Sequence, residues 1–151
     1  MDDIDRKLVR SLQKDAALSQ QRLAESIGVS PASLWRRLKS LEKTGLLGKL
    51  VRLVDPVAAG LSLDVICQVQ MQNHDEETRT SFEEFVASRG EILACFSTSG
   101  EWDYLLHIIV PDIAGYERLL MEDLLRHPGV SQSSSHFALK RIKHTTVLPI
   151  S

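Results

Sequence analysis

The stretch LSQQRLAESIGVSPASLWRRLKSLEKTG, residues 18–45, holds two short helical patterns separated by a glycine. Ser19 can cap the first helix and Ser30 the second, because a serine hydroxyl accepts hydrogen bonds from the free N–H groups of a first helical turn. Pro31 suits the first position of a helix, where no N–H is needed. Gly28 supplies the left-handed backbone that ends the first helix. The pattern predicts a helix-turn-helix.

The second helix of this pair has an apolar stripe and a basic outer face. Leu34, Leu38 and Leu41 recur at helical spacing and are expected to face the core. The polar residues around them suit the major groove of DNA, because arginine bonds guanine O6 and N7 together while lysine bonds phosphates. A solvated basic face is the alternative, and the capped spacing favours DNA binding over it. The predicted DNA contacts are Ser19, Gln20, Ser30, Ala32, Ser33, Arg36, Arg37, Lys39, Ser40, Lys43 and Lys49.

Charge is divided unevenly along the chain. Residues 1–54 carry 11 Lys and Arg against 6 Asp and Glu, whereas residues 55–151 carry 7 against 14, so a net charge of −2 hides a basic N-terminal third. That third is the part expected to meet a polyanion.

Composition narrows the class of protein. With 151 residues and 43% hydrophobic content, the chain can bury one or two cores. No stretch reaches the roughly 18 apolar residues of a membrane span and no leader pattern is present, so we expect a cytoplasmic protein without a membrane partner. Cys67 and Cys95 are far apart, and we expect buried free thiols rather than a disulfide, a metal site or a redox sensor.

The remaining N-terminal residues complete a small domain. Ile4, Leu8 and Leu12 predict a supporting helix before the pair. Residues 46–54, LLGKLVRLV, alternate enough to predict a wing or strand pair after Gly45. We therefore predict a winged helix-turn-helix over residues 1–54 and a linker with a short helical turn at 55–61.

Residues 62–151 change to an alternating period. A strand is predicted from Leu63 to Met71, and further strands at 92–98, 103–110 and 130–139. Helices are predicted at 76–88 and after Asp112, with Ile113 on the inner stripe of the latter. The order βαββαβ is that of a ferredoxin-like fold, so the whole chain is α+β. One face of such a sheet would leave Leu105 and Ile109 exposed, which predicts a homodimer.

Five ordered motifs resemble the Lrp/AsnC family of feast/famine transcriptional regulators, and together they span almost the whole chain. They are IDRKLVRSLQKD at 4–15, LAESIGVSPASLWRRLKSLEKTGLL at 23–47, DPVAAGL at 55–61, SGEWDYLLHIIVPDIAGYERL at 99–119 and IKHTTVLPI at 142–150. The resemblance implies DNA binding modulated by an amino acid or related small effector, without a cofactor. It also implies dimers that assemble further, and the choice between dimer and octamer stays open.

The resemblance places the effector near the turn between the second and third strands of the C-terminal domain, which reads SGEWDY at 99–104. Gly100 lets backbone N–H groups approach a carboxylate, and Asp103 can attract an ammonium group. Trp102 stands where the family often has a smaller residue or tyrosine. An ordinary β-turn is the alternative interpretation. The residues predicted to contact the effector are Ser99, Gly100, Glu101, Trp102, Asp103, Tyr104, Ser134, Ser135 and His136.

An enzyme is the other function to weigh. Some proteins that resemble this family are siroheme decarboxylases, so the architecture alone does not decide. The five histidines are scattered without a metal-ligand repeat or a nucleophile constellation. A decarboxylase has no use for a basic recognition helix. We therefore predict a sequence-specific regulator that binds a pseudo-palindromic DNA site, and no catalytic or metal residues.

Overall fold

The computed structural model describes residues 1–150 and divides the chain into two compact units. The first unit contains Met1–Leu53 together with the segment that begins at Ile142, and the second contains Val54–Arg141. The second boundary differs from the expected 62–151, because the residues after Arg141 pack with the N-terminal helices instead of the sheet.

Three helices build the first unit: α1 at Asp3–Lys14, α2 at Gln20–Ile27 and α3 at Pro31–Lys43. Each begins at a capping side chain, because Asp2 accepts from the Asp5 N–H, Ser19 from Arg22 and Ser30 from Ser33. α2 ends at Gly28, whose φ of 75° lies in the left-handed region. The predicted caps and the glycine turn are confirmed.

One small core joins the three helices. Leu8 and Val9 of α1, Leu23 and Ala24 of α2, and Leu34 and Leu41 of α3 are buried together, while Leu38 is half-buried. Ala24 leaves room for the close crossing of α2 and α3. The predicted apolar stripes are therefore the ones that pack.

The strand pair expected at residues 46–54 is not formed in the described chain. Gly45 has a φ of 75°, but Gly48 has no positive φ, so the segment lacks the tight reversal that a two-residue hairpin turn requires. It runs without strand pairing and exposes Leu50, Val51 and Leu53. The helical turn expected in the linker is present, since Asp55 accepts from the N–H groups of Ala58 and Ala59.

The second unit is a four-stranded antiparallel sheet with strand order β2-β3-β1-β4. Its strands are β1 at Leu63–Met71, β2 at Ile92–Ser97, β3 at Tyr104–Val110 and β4 at Val130–Phe137. Helix α4 at Glu76–Ala87 follows β1, and α5 at Ile113–Arg118 follows β3 and continues as one stretch of π-helix at Leu119–Leu124. This order matches the predicted ferredoxin-like fold.

One face of the sheet carries the core. Val65, Cys67 and Val69 of β1 alternate with outward residues and pack with Phe82 of α4 and Leu106 of β3. Cys67 is buried and Cys95 is half-buried, and both are free thiols. Burial raises the pKa of both thiols, so neither carries the thiolate that reacts at pH 7.

Two expected exposures are reversed. Ile109 is only 4% exposed although it lies on the face opposite the core, at the end of the sheet where Arg141 binds Asp64. Ile113 is 68% exposed because it begins a helix of six residues whose buried side is Tyr116. Leu105 is half-buried. No helix among residues 1–150 is long and apolar enough to cross a membrane.

Candidate nucleic-acid interface and effector turn

The exposed side of α3 is the candidate nucleic-acid interface. The predicted DNA contacts differ in solvent exposure. Most of them are exposed: Ala32, Arg36, Lys39, Ser40 and Lys43 on α3, together with Ser19, Gln20, Ser30 and Lys49. Ser33 is half-buried. The Ser19 and Ser30 hydroxyls accept the capping bonds, which leaves their O–H groups free to donate to a phosphate.

Arg37 differs from the expectation. Its Nη1 lies 2.7 Å from Asp2 Oδ2 and 2.7 Å from Asp5 Oδ1, and its side chain is 23% exposed. These charge-assisted hydrogen bonds raise the pKa of Arg37. The capping bond from the Asp5 N–H and the Arg37 guanidinium together hold the pKa of Asp2 below its usual range. Arg37 thus joins α3 to the first turn of α1, and its charge is matched inside the protein.

Arg36 makes no ion pair among the described residues and is exposed. Lys39 binds Glu42 Oε2 at 2.8 Å on the surface, a pair that solvent weakens and that a phosphate can replace. Trp35, which is 55% exposed beside Arg36, is not among the contacts predicted from the sequence. Its position next to Leu34, outside the apolar stripe, is the signal that could have identified it.

The candidate effector turn lies between β2 and β3. Its ends are joined by the Thr98 N–H donating to Asp103 O at 2.9 Å and the Thr98 hydroxyl donating to Trp102 O at 2.5 Å. Gly100 has a φ of 125°, a conformation that L residues rarely adopt. The Gln70 amide donates to Glu101 O at 3.1 Å, so the turn is held against β1.

Asp103 and Tyr104 have structural partners. Asp103 Oδ2 accepts from the Met71 N–H at 2.7 Å, while Oδ1 lies 3.5 Å from His74 Nδ1. Tyr104 is buried and its hydroxyl donates to Glu83 at 2.9 Å. Burial and the Glu83 carboxylate raise the pKa of Tyr104 to about 12. The structure therefore places Tyr104 in the core rather than over the turn.

The three predicted residues of β4 are divided between the two faces of the sheet. Ser135 faces the core, where its hydroxyl meets the Tyr116 hydroxyl at 2.5 Å. Ser134 and His136 lie on the opposite face, where Ser134 Oγ is 3.4 Å from His136 Nε2. Successive residues of a strand point to opposite faces, so the three cannot line one pocket. The link between β4 and the turn is instead Gln132, whose amide donates to Gln70 Oε1 at 2.6 Å.

The comparison with known families decides between the regulator and the enzyme. A model of the winged helix-turn-helix DNA-binding domain matches residues 1–47, and a model of the Lrp/AsnC ligand binding domain matches residues 64–148. The chain belongs to the Lrp/AsnC family. It is a transcriptional regulator with a DNA-binding domain and a ligand-binding domain. No cluster of three or more potential metal ligands occurs among residues 1–150.

Similar Lrp/AsnC proteins support this assignment. The chain is 39% identical over 150 residues to the DNA-binding transcriptional activator DecR of Escherichia coli K12, covering 99% of both chains. It is 33% identical to the leucine-responsive regulatory protein of the same organism, covering 99% of this chain and 92% of that one. Both relatives are regulators, which confirms the prediction of a regulator over a decarboxylase.

Solved structures of two transcriptional regulators are similar to this chain over nearly all of its length. An AsnC family transcriptional regulator from Agrobacterium tumefaciens gives a TM-score of 0.93 at 36% identity, covering 99% of this chain and 97% of that one. A transcriptional regulator from Neisseria meningitidis in complex with L-Met gives 0.94 at 35% identity, covering 99% and 96%. The predicted two-domain fold is confirmed.

Proposed function

We propose that this Lrp/AsnC regulator binds a pseudo-palindromic DNA site as a dimer, and that an amino acid bound near the β2–β3 turn changes that binding. The observation that carries the proposal is the exposed face of α3, where Arg36 is free while Arg37 is neutralised by Asp2 and Asp5. A free guanidinium at the exposed face of a recognition helix is the group best suited to read guanine.

The proposed contacts have different roles. Arg36 reads a base, and the exposed ring of Trp35 offers apolar contact to a thymine methyl or a sugar. Small residues near the start of α3 let the backbone approach the groove. The remaining proposed contacts hold phosphates or border the groove: Ser19, Gln20, Ser30, Ala32, Ser33, Lys39, Ser40, Lys43 and Lys49.

The proposed dimer follows from the sheet face opposite the core. β2 exposes Phe96 at 57% and Leu93 at 56%, and Leu105 of β3 is half-buried. Aliphatic and aromatic area of this kind is stabilised when a second copy covers it. A pseudo-palindromic site requires the two α3 helices of a dimer to lie about 34–36 Å apart, one turn of DNA. Assembly of these dimers into an octamer is the further state to test.

The proposed effector is an amino acid. Support comes from the match to a ligand binding domain and from the L-Met complex of the Neisseria relative. Gly100 allows close approach of a ligand carboxylate to the backbone of the turn. Asp103 Oδ2 accepts from the Met71 N–H, so Oδ1, which lies 3.5 Å from Nδ1 of the exposed His74, is the oxygen that an ammonium group would contact. Ser99, Glu101 and Trp102 complete the proposed site.

The experiment is a thermal unfolding series with each of the twenty amino acids. A ligand that binds only the folded state raises stability by RT ln(1 + [L]/Kd), so a selective rise identifies the effector. Asp103→Asn should remove the rise, because it keeps an oxygen for the Met71 N–H and loses the negative charge. Persistence of the full rise in this variant would remove Asp103 from the site. The effector is then tested on DNA binding and on sedimentation of the protein.

A further inference from the structure

The segment that follows the sheet is anchored where it leaves the second unit. Arg141 Nη2 donates to both carboxylate oxygens of Asp64 at 2.7 Å, and His107 Nε2 lies 2.8 Å from Oδ1 of the same residue. The backbone of Asp64 adds a third fixed point, because the Ala138 N–H donates to its carbonyl at 3.0 Å. Asp64 therefore fixes the chain on both sides of Lys140.

The far end of this segment, residues 142–150, is bound to α1 of the first unit, and we call it the return segment. Gln13 pairs with the backbone of Leu148 in both directions: its Oε1 accepts from the Leu148 N–H at 2.6 Å and its Nε2 donates to the Leu148 carbonyl at 3.4 Å. Arg10 Nε donates to the Ile150 carbonyl at 2.8 Å. Two side chains one helical turn apart thus hold an extended backbone against one face of α1.

Pro149 prepares the return segment for this contact. The Ile150 N–H donates to the Leu148 carbonyl at 2.9 Å, which closes a three-residue turn around Pro149. The φ of proline is fixed near the value that such a turn requires, so little backbone freedom is lost on docking. The turn directs Ile150 against the core of the first unit, beside the residues that α1 and α3 share.

The helix that receives the return segment also fixes the recognition helix. Leu8 of α1 is buried with Leu34 and Leu41 of α3, and Arg37 of α3 binds the carboxylates of Asp2 and Asp5 at the start of α1. A shift of α1 would break these ion pairs or carry α3 with it, because a close-packed core does not deform continuously. The position of α3 is thus linked to the contacts on α1.

We propose that the return segment positions the recognition helix for DNA through α1, and that Gln13 and Arg10 are the positioning residues that hold it. The inference rests on DNA binding by the helix-turn-helix and not on the identity of any effector. A consequence of this proposal is that Asp64, a residue of the sheet, influences DNA binding. It would do so through the return segment, which begins directly after the Asp64–Arg141 ion pair.

Gln13→Met tests whether the return segment positions the recognition helix. The change keeps the length and helix propensity of the side chain, removes both hydrogen bonds to Leu148 and alters no charge. Affinity for a duplex selected by the wild-type protein from a random pool should fall about threefold or more, with an unchanged salt dependence because no phosphate contact is lost. Gln21→Met is the matched control, since Gln21 is exposed and bonds only Glu25. Wild-type affinity in Gln13→Met, with faster hydrogen exchange at the Leu148 N–H, would overturn the proposal.

A double-mutant cycle with a variant at Asp64 tests whether this residue influences DNA binding through the return segment. Asp64→Asn weakens the hold on Arg141, and its effect on DNA affinity is measured with and without Gln13→Met. The free-energy changes of substitutions at separate sites normally add. If the loss of DNA affinity caused by Asp64→Asn is at least about threefold smaller in the Gln13→Met background, the return segment connects Asp64 with Gln13. Additive effects, at equal oligomeric state by sedimentation, would contradict the connection.

Discussion

Arg37 donates a hydrogen bond of 2.7 Å to the carboxylate of Asp5 on another helix, while its neighbour Arg36 is exposed. Two adjacent arginines of one recognition helix therefore have different roles. The first holds α3 against α1, and the second is available to a ligand. The apparent basic patch is smaller than its sequence indicates, because one of its charges is matched within the fold.

The two arginines give the first prediction. Arg36→Ala should weaken DNA binding by about 1 to 3 kcal/mol and relax the preference at one base pair, since a bidentate contact to guanine is worth that much. Arg37→Ala should leave the base preference unchanged and lower the midpoint of thermal unfolding, because Asp2 and Asp5 lose their partner. Selection from a random DNA pool and thermal scans of both variants check these outcomes. A change of base preference confined to one base pair in Arg37→Ala would return Arg37 to the DNA interface.

Tyrosine ionisation gives the second. The chain has two tyrosines, and burial raises the pKa of both, with Tyr104 reaching about 12 from 10.0. A pKa raised on folding stabilises the fold below pH 10 and this contribution is lost as the pH rises towards 12. The absorbance of tyrosinate should therefore stay low until the protein unfolds. Glu83→Gln should lower the pKa of Tyr104, because it removes the nearby negative charge. Titration of either tyrosine at its ordinary pKa in the folded protein would contradict its burial.

The third prediction concerns the backbone of the effector turn. Gly100→Ala should destabilise the fold by about 1 to 3 kcal/mol, because alanine at a φ of 125° is strained even though no atom lies within 4 Å of the added Cβ. Gly90→Ala is the control in the same unit, since Gly90 has open space and no positive φ in this range. Its effect should stay within about 1 kcal/mol. Denaturant unfolding of both variants measures the difference, and equal stabilities would exclude strain at Gly100.

Close packing at the start of β4 gives the fourth. A Cβ at Gly129 would lie 2.6 Å from Thr78 Cγ2 and 3.0 Å from Met71 Cε. Gly129→Ala should therefore cost about 1 to 3 kcal/mol of stability. Thr78→Ser removes the methyl group that is nearest, so it should recover part of the loss in the double variant. Absence of any recovery would show that Thr78 is not the limiting contact.

The sequence predicted local features well and distant partners poorly. The caps at Ser19, Ser30 and Asp112 depend on residues three positions away, and a pattern can express that spacing. The alternation of β1 likewise follows from the geometry of a strand. These two kinds of signal were sufficient for the order of elements and for the fold.

Such local signals could not predict which residues of the candidate sites are free to bind a ligand and which have partners inside the fold. Arg36 and Arg37 have the same side chain, and only the fold brings Asp2 and Asp5 to one of them. Tyr104 follows the turn directly, but its position as a core residue depends on Phe82 and Glu83 of α4. Charge, polarity and proximity in sequence cannot distinguish these cases, because each is decided by a partner from another element.

The course of the chain between its two units has a consequence for protein engineering. A polypeptide that leaves the first unit after Leu53 and re-enters it at Ile142 makes the sheet domain an insertion between two parts of the helical one. Exchange of sheet domains between relatives therefore requires two splice points, one at each crossing. A hybrid joined only near Leu53 would place the return segment of one relative against Gln13 of the other. Any change in its DNA binding could then come from the altered ligand site or from the altered contact with α1.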